Sequence, residues 1–195
     1  VFWLGRRKFV HIPPAGMDFV RESFSRVGLK SIAKLVVLMI FLAPFYALFE
    51  QTGSAWVLQA KHMDLGFLGF EILPSQVHAA NPILVMILAP LFGYVVYPFI
   101  ARFTKVTPLR KMGVGFFVTG SSFLVAAYIE HRIGLGERPT IWWQMLGYLI
   151  ITVGEVLTTI TALEFFYPQA PPKMKRTLMS VKKIADSVGY QFSAN

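Results

Sequence analysis

The sequence contains no cysteine. Disulfides, thiolate nucleophiles and Cys-ligated metals are therefore excluded, while the compartment is left open. Charge is also scarce: Asp, Glu, Lys and Arg make up 15% of the 195 residues, against 55% apolar. A soluble domain carries about 25% charged residues. Acidic residues are the scarcest, 10 against 19 Lys and Arg, giving a formal net charge of +9. The sequence has no Walker A loop, no G-x-G-x-x-G and no nucleophile elbow, and so no paired nucleophile and base that would make it an enzyme. His11, His62, His78 and His131 lack ligand spacing such as H-x-x-x-H, so neither a metal nor another cofactor is expected. The basic clusters lack the aromatic interleaving of an RNA binder, and no nucleic-acid partner is expected. Short repeats and low-complexity tracts are absent.

What is present is long apolar runs. Between Lys34 and Lys61 the only charge is Glu50, and between Glu71 and Arg102 there is none. Between Lys111 and Glu130 there is none, and between Arg138 and Lys173 only Glu155 and Glu164. Each window supplies the roughly 20 residues of a membrane-spanning helix. Four spans are expected, at about 35–59, 75–101, 112–131 and 140–167, within a membrane region 35–171. The windows are too long for strands, and helices satisfy their own backbone in lipid. The predicted fold is an all-α, polytopic helical bundle embedded in the bilayer.

Lys and Arg number 7 before the first span, then 1, 4 and 2 in the successive connections, and 5 after the last. This alternation places the N-terminal side in the cytoplasm by the positive-inside rule. The stretch "VFWLGRRK" reads as the tail of a preceding span with a basic stop, so the chain is expected to begin inside a longer reading frame. In region 1–34, Met17, Val20, Phe24 and Val27 form one apolar stripe, with Glu22 and Arg26 paired four residues apart. Residues 17–30 read as an interfacial helix or, alternatively, a solvated linker. Region 172–195 reads as a cytoplasmic turn and the start of a further helix.

Carboxylates inside spans mark ion or proton paths unless they are paired structurally. Glu50 lies within "FYALFEQTGSAWVLQAK"; on a continuous helix Tyr46, Glu50, Ser54 and Val57 share a face. It reads as a residue of a wet proton path or as a paired structural carboxylate. Glu155 shares its face with Thr158, Thr159 and Ala162, beside Gly154. It can hold an ammonium group, or be satisfied by Thr158 or a neighbouring helix. Glu164 lies nine residues on, about 180° round a straight helix, and reads as a salt-bridge residue rather than Glu155's partner. The second span carries Pro82, Pro90 and Pro98. Their kinks either gate a pathway or merely bend a bundle helix. Pro82 deprives the His78 carbonyl of its donor, and the Asn81 amide can repair that break or reach a ligand. The "TGSS" run at 119–122 reads as small-residue helix packing.

Several stretches resemble the proton-dependent oligopeptide transporter (POT, or PTR) family of the major facilitator superfamily. "FYALFEQTGSAWVLQA" looks like that family's seventh span and "NPILVMILAPLFGYVVYP" like its eighth. "GEVLTTITALEFFYPQAPPKMK" is similar to its tenth span and following turn, and "VFWLGRRKFVHIPP" to the end of its sixth. The resemblance implies part of the C-terminal half of a major facilitator bundle. It further implies proton-coupled symport of short peptides, with protons as coupling ion, in the plasma or inner membrane. It gives Glu155 the peptide amino group, and Asn81 and Tyr46 the lining of the peptide site. Glu50 receives a part in proton coupling, and Glu164, Gln169 and Pro82 structural motif roles. The implied partners are short peptides, the lipid bilayer and an N-terminal half absent from this sequence. The sequence departs from the family at Pro168 and Arg176, and at Lys182, Lys183 and Asp186, where apolar residues and a Trp are expected. Those departures leave a second reading, a truncated membrane protein that only packs with partner helices.

Overall fold

The structure, a computed structural model, describes residues 25–105 and 107–169. The stripe from Met17 to Phe24, the tail of a preceding span and the 172–195 segment lie outside the described residues.

Helix α1 runs Arg26–Glu50 with Pro44 inside it. It starts well before residue 35, because no proline interrupts "RVGLKSIAK" and its Leu, Lys and Ala residues favour helix. It also stops earlier than expected. The helix predicted to continue to residue 59 breaks at Gln51–Ser54, and α2 resumes only at Ala55–Ala60. The cause is local competition for carbonyls. The N–H groups of Gln51, Thr52, Gly53 and Ser54 each bond three residues back, and Trp56 N–H bonds Gln51 O, five back. The hydroxyls of Thr52 and Ser54 donate to Phe49 O (2.8 Å) and Glu50 O (3.3 Å). Such side-chain bonds, with a glycine in the middle, loosen the α-helical ladder.

A two-stranded antiparallel hairpin follows, β1 Gly66–Phe67 and β2 Phe70–Glu71, pairing Gly66 with Glu71 and Phe67 with Phe70. Its two turn residues, Leu68 and Gly69, both have positive φ (51° and 87°), as a two-residue hairpin of this twist requires.

The next helical stretch is compound: α3 Pro74–Val77, α4 Ala80–Leu91, a π turn at Phe92–Val96 and α5 Tyr97–Ala101. Pro82 explains the first interruption, since it has no N–H for the His78 carbonyl; the Asn81 backbone N–H takes that carbonyl instead at 3.3 Å. The π turn lies between Pro90 and Pro98, and Tyr97 N–H reaches five residues back to Phe92 O. Helix α6 is continuous, Pro108–Gly134, with Pro108 in its first turn, where the missing N–H is harmless. Helix α7 Ile141–Glu155 passes through a second π turn, Val156–Ile160, into α8 Thr161–Gln169. Pro74–Ala101, Pro108–Gly134 and Ile141–Phe165 are long and apolar enough to cross a membrane. The chain is thus a mostly helical membrane bundle.

α6 and α7 pack most extensively, through small residues. A Cβ on Gly115 would collide with the Thr158 hydroxyl, and one on Gly154 would collide with Thr119 Oγ1 and lie 3.0 Å from Gly115 O. Of the "TGSS" run, Thr119 and Ser122 are buried in the bundle, while Gly120 and Ser121 are exposed. At the hairpin end, Trp56, Met63, Val77, Ile129, Ile141, Tyr148 and Ile151 form a buried cluster. Gly147 lets the Trp56 ring approach; a Cβ there would lie 3.2 Å from it. Backbone bonds from Asp64 N–H to Pro139 O (3.0 Å) and from Ile141 N–H to Asp64 O (2.9 Å) strap the same end.

Candidate functional site

One face of α7 carries polar residues through an otherwise apolar helix: Gln144, Tyr148, Thr152 and Glu155, at intervals of four, four and three. The first three are buried, and Glu155 is half-buried. Each side chain in the row is used. Gln144 Nε2 donates to Trp56 O at 2.7 Å and Tyr148 OH to Thr52 O at 2.8 Å. Thr152 Oγ1 donates to Tyr148 O at 2.6 Å.

Asn81, at the start of α4 beside Pro82, joins this row. Its Nδ2 donates to Thr152 Oγ1 at 3.1 Å and to Glu155 Oε2 at 3.0 Å. The amide thus spans two helices, while the backbone break at His78 is closed by Asn81's own N–H. The Glu155 carboxylate is held by a neighbouring helix and not by Thr158. The π turn that begins at Val156 takes up an extra residue and turns the following segment. It brings Thr158 against Gly115 of α6 instead.

The π turn also removes the straight-helix basis for placing Glu164 about 180° from Glu155. The two carboxylates nevertheless meet different helices. Glu164 pairs with Lys111 of α6 at 3.3 Å, and Lys111 Nζ sits 4.1 Å from the Tyr97 ring centroid. Gln169 closes α8, but its side chain is outside what is described.

Tyr46 is 5% exposed, its ring edge-on to Phe45 at 5.3 Å. Glu50, the last residue of α1, is half-buried. Because the helix ends there, it does not share a continuous helical face with Ser54 and Val57. Among the described residues no basic side chain pairs with its carboxylate. A cavity of about 600 Å³ lies at the hairpin end, lined in part by Lys61, Asp64, Glu71 and Arg138, and does not include Glu50 or Glu155.

Sequence reasoning singled out Asn81 and Glu155 but missed Gln144, Tyr148, Thr152 and Lys111. The first three carry a readable signal, the helical spacing of polar side chains in an apolar run.

A family model described as "POT family" matches residues 26–195. Peptide transporter 3 of Caenorhabditis elegans is 46% identical over 106 residues, covering 54% of this chain and 15% of the relative. Solute carrier family 15 member 2 of Danio rerio is 31% identical over 185 residues, covering 92% of this chain and 21% of the relative. The in meso crystal structure of the POT family transporter PepTSo superposes with a TM-score of 0.79 at 39% identity, covering 90% of this chain and 35% of that one. A second solved structure, an auto-inhibited POT family peptide transporter, gives a TM-score of 0.78 at 35% identity, covering 97% and 34%. The chain therefore spans roughly a fifth or less of these curated relatives and about a third of the solved structures.

Proposed function

Because the chain belongs to the POT family, we propose that it forms part of the C-terminal half of a proton-coupled symporter of short peptides. The observation that carries this reading is the Glu155 carboxylate, set within a membrane-spanning helix and held by the Asn81 amide at 3.0 Å. A carboxylate at such depth is costly unless it has a task. A peptide's ammonium group is a fitting counter-charge, and the Asn81 amide, itself fixed by Thr152, holds the carboxylate in a set orientation. Glu155 anchors the peptide amino group, and Asn81 lines and orients the site. Tyr46, buried with its ring edge-on to Phe45, is assigned to the aromatic lining of the peptide site. Glu50, without a basic partner among the described residues, takes part in the protonation cycle, with protons as the coupling ion and no other cofactor.

Transport moves the peptide without changing its bonds, and substrate lies between two halves that rock about it. This chain supplies four spans of one half and needs an N-terminal half as partner. The kinked second span, with its π turn at Phe92–Val96 between Pro90 and Pro98, gates that motion. The distribution of Lys and Arg supports a cytoplasmic N-terminal side, and residence in the plasma or inner membrane belongs to the same transport reading. Glu164, paired with Lys111, and Gln169 keep structural roles.

The test is dipeptide uptake in proteoliposomes by the product of the complete reading frame that carries this sequence, with an imposed proton gradient. Uptake that collapses with the gradient, and that Glu155→Gln weakens for free-amino but not N-acetylated dipeptides, is the expected result. Gradient-independent accumulation, or equal loss for both peptide types, overturns the reading.

A further inference from the structure

The break in the first helix is not a loose joint. Because Trp56 N–H bonds Gln51 O, the Thr52 carbonyl loses its helical donor. Thr52 is fully buried, and an unsatisfied carbonyl at such a place is costly. Tyr148 OH supplies the missing bond at 2.8 Å, from a residue that is itself fully buried. Gln144, one turn away on α7, bonds the Trp56 carbonyl just past the break. The same Tyr148 accepts, on its own backbone carbonyl, the Thr152 hydroxyl that Asn81 contacts. Hydrogen bonds therefore lead from Glu155 through Asn81 and Thr152 to the Tyr148 backbone carbonyl, and the rigid ring of the same residue carries the connection on to Thr52, two residues beyond Glu50.

From this geometry we infer that Tyr148 is a positioning residue: its hydroxyl latches the helix break and so fixes Glu50 relative to the Asn81–Glu155 pair. The inference rests on the transport reading for its consequence, since it assigns to Tyr148 the coupling of peptide anchoring to the proton site. The break is the element with two arrangements, latched and released, that such coupling requires. Tyr148 touches neither peptide nor proton; it acts through the backbone at Thr52.

Tyr148→Phe tests this, because it keeps the ring that packs edge-on to Trp56 at 5.0 Å and removes only the donor. In the complete reading-frame product, two quantities are measured. The first is the ratio of proton-driven uptake to peptide exchange, which needs no net proton movement. It is expected to fall about tenfold, the scale set by stranding one buried acceptor, with exchange itself little changed. The second is the distance distribution between spin labels at Leu48→Cys and Leu58→Cys, exposed positions on either side of the break. It is expected to broaden in the Tyr148→Phe background. Gln144→Met, which removes the neighbouring donor at similar volume, is expected to move both readouts in the same direction.

An unchanged ratio with an unchanged distribution overturns the inference, as does an equal loss of uptake and exchange, which would mark a merely structural role. Absence of proton-driven uptake by the parent protein overturns the transport reading instead. In that case the spin-label width still decides whether the latch exists.

Discussion

Asn81 on α4 donates from one nitrogen to both Glu155 Oε2, at 3.0 Å, and Thr152 Oγ1, at 3.1 Å, on α7. The amide has two hydrogens, so both bonds form at once, and the carboxylate cannot turn without breaking one of the two links between the helices. Pro82 sits immediately after, and the break it causes at His78–Ala79 sets where α4 begins. A kink in one helix therefore determines the aim of a carboxylate on another.

The first prediction follows from that link. Asn81→Ala leaves Glu155 without its donor and free to change rotamer. In the complete protein the KM for free-amino dipeptides should rise about tenfold, the scale of one lost hydrogen bond to a charged group. N-acetylated dipeptides, which present no ammonium group, should be unaffected. Competition uptake with the two peptide types checks it; a parallel loss for both sinks the positioning role.

A second prediction concerns Glu50. Its carboxylate ends α1, half-buried and without a basic partner among the described residues. A group held by an ion pair would lose stability on neutralisation, whereas an unpaired one should not. Glu50→Gln should leave the thermal midpoint in detergent unchanged or slightly raised while abolishing gradient-driven uptake and sparing exchange. A midpoint several degrees lower would reveal a structural pairing.

Much of the bundle was legible because a spanning helix has one dominant sequence signal, a charge-free window of about twenty residues. The interruptions were less so. The prolines announced bends in the second span, but the break at Gln51–Ser54 rests on hydroxyl and i−3 bonds that hydropathy does not register. The π turn at Val156–Ile160 left no proline to mark it, so the face assigned to Thr158 was read from a straight helix and came out wrong. Glu155 and Asn81 could be singled out separately because each is polar in apolar surroundings. Their meeting across 74 positions of sequence could not be derived from spacing on either helix. Tyr148 and Gln144 were passed over for another reason: their partners are backbone carbonyls, and that of Thr52 becomes available only once the helix has broken.

The Lys111–Glu164 pair yields a third prediction. The distance is 3.3 Å, but the Glu164 side chain is 56% exposed, and pairs of that kind contribute about 0–1 kcal/mol. Glu164→Gln should therefore change stability by no more than about 1 kcal/mol. Lys111→Ala should cost more, because it also removes the cation from the Tyr97 ring and the aliphatic stem packed beside it. Denaturation of the two variants in detergent, compared directly, checks the order; equal losses would mean that the ion pair itself carries the stability.

The fourth prediction addresses the helix pair that carries the site. Gly115 and Gly154 face each other across α6 and α7, and a Cβ on either would meet a threonine hydroxyl and the opposing glycine's carbonyl at 3.0 Å. Thr119 and Thr158 are buried there, so the added methyl has no open space to displace into. Gly154→Ala should destabilise the bundle by about 1–3 kcal/mol, the usual cost of overpacking a tight interface. Because Gly154 adjoins Glu155, the same substitution should also lower peptide affinity by tilting the carboxylate away from Asn81. Gly154→Ala combined with Thr119→Ser separates the two effects. Removing the Thr119 methyl lets its hydroxyl turn aside, and peptide affinity should recover with stability if the interface sets the aim of Glu155. Recovery of stability alone would mean that the carboxylate is aimed by Asn81 independently of how closely the two helices pack.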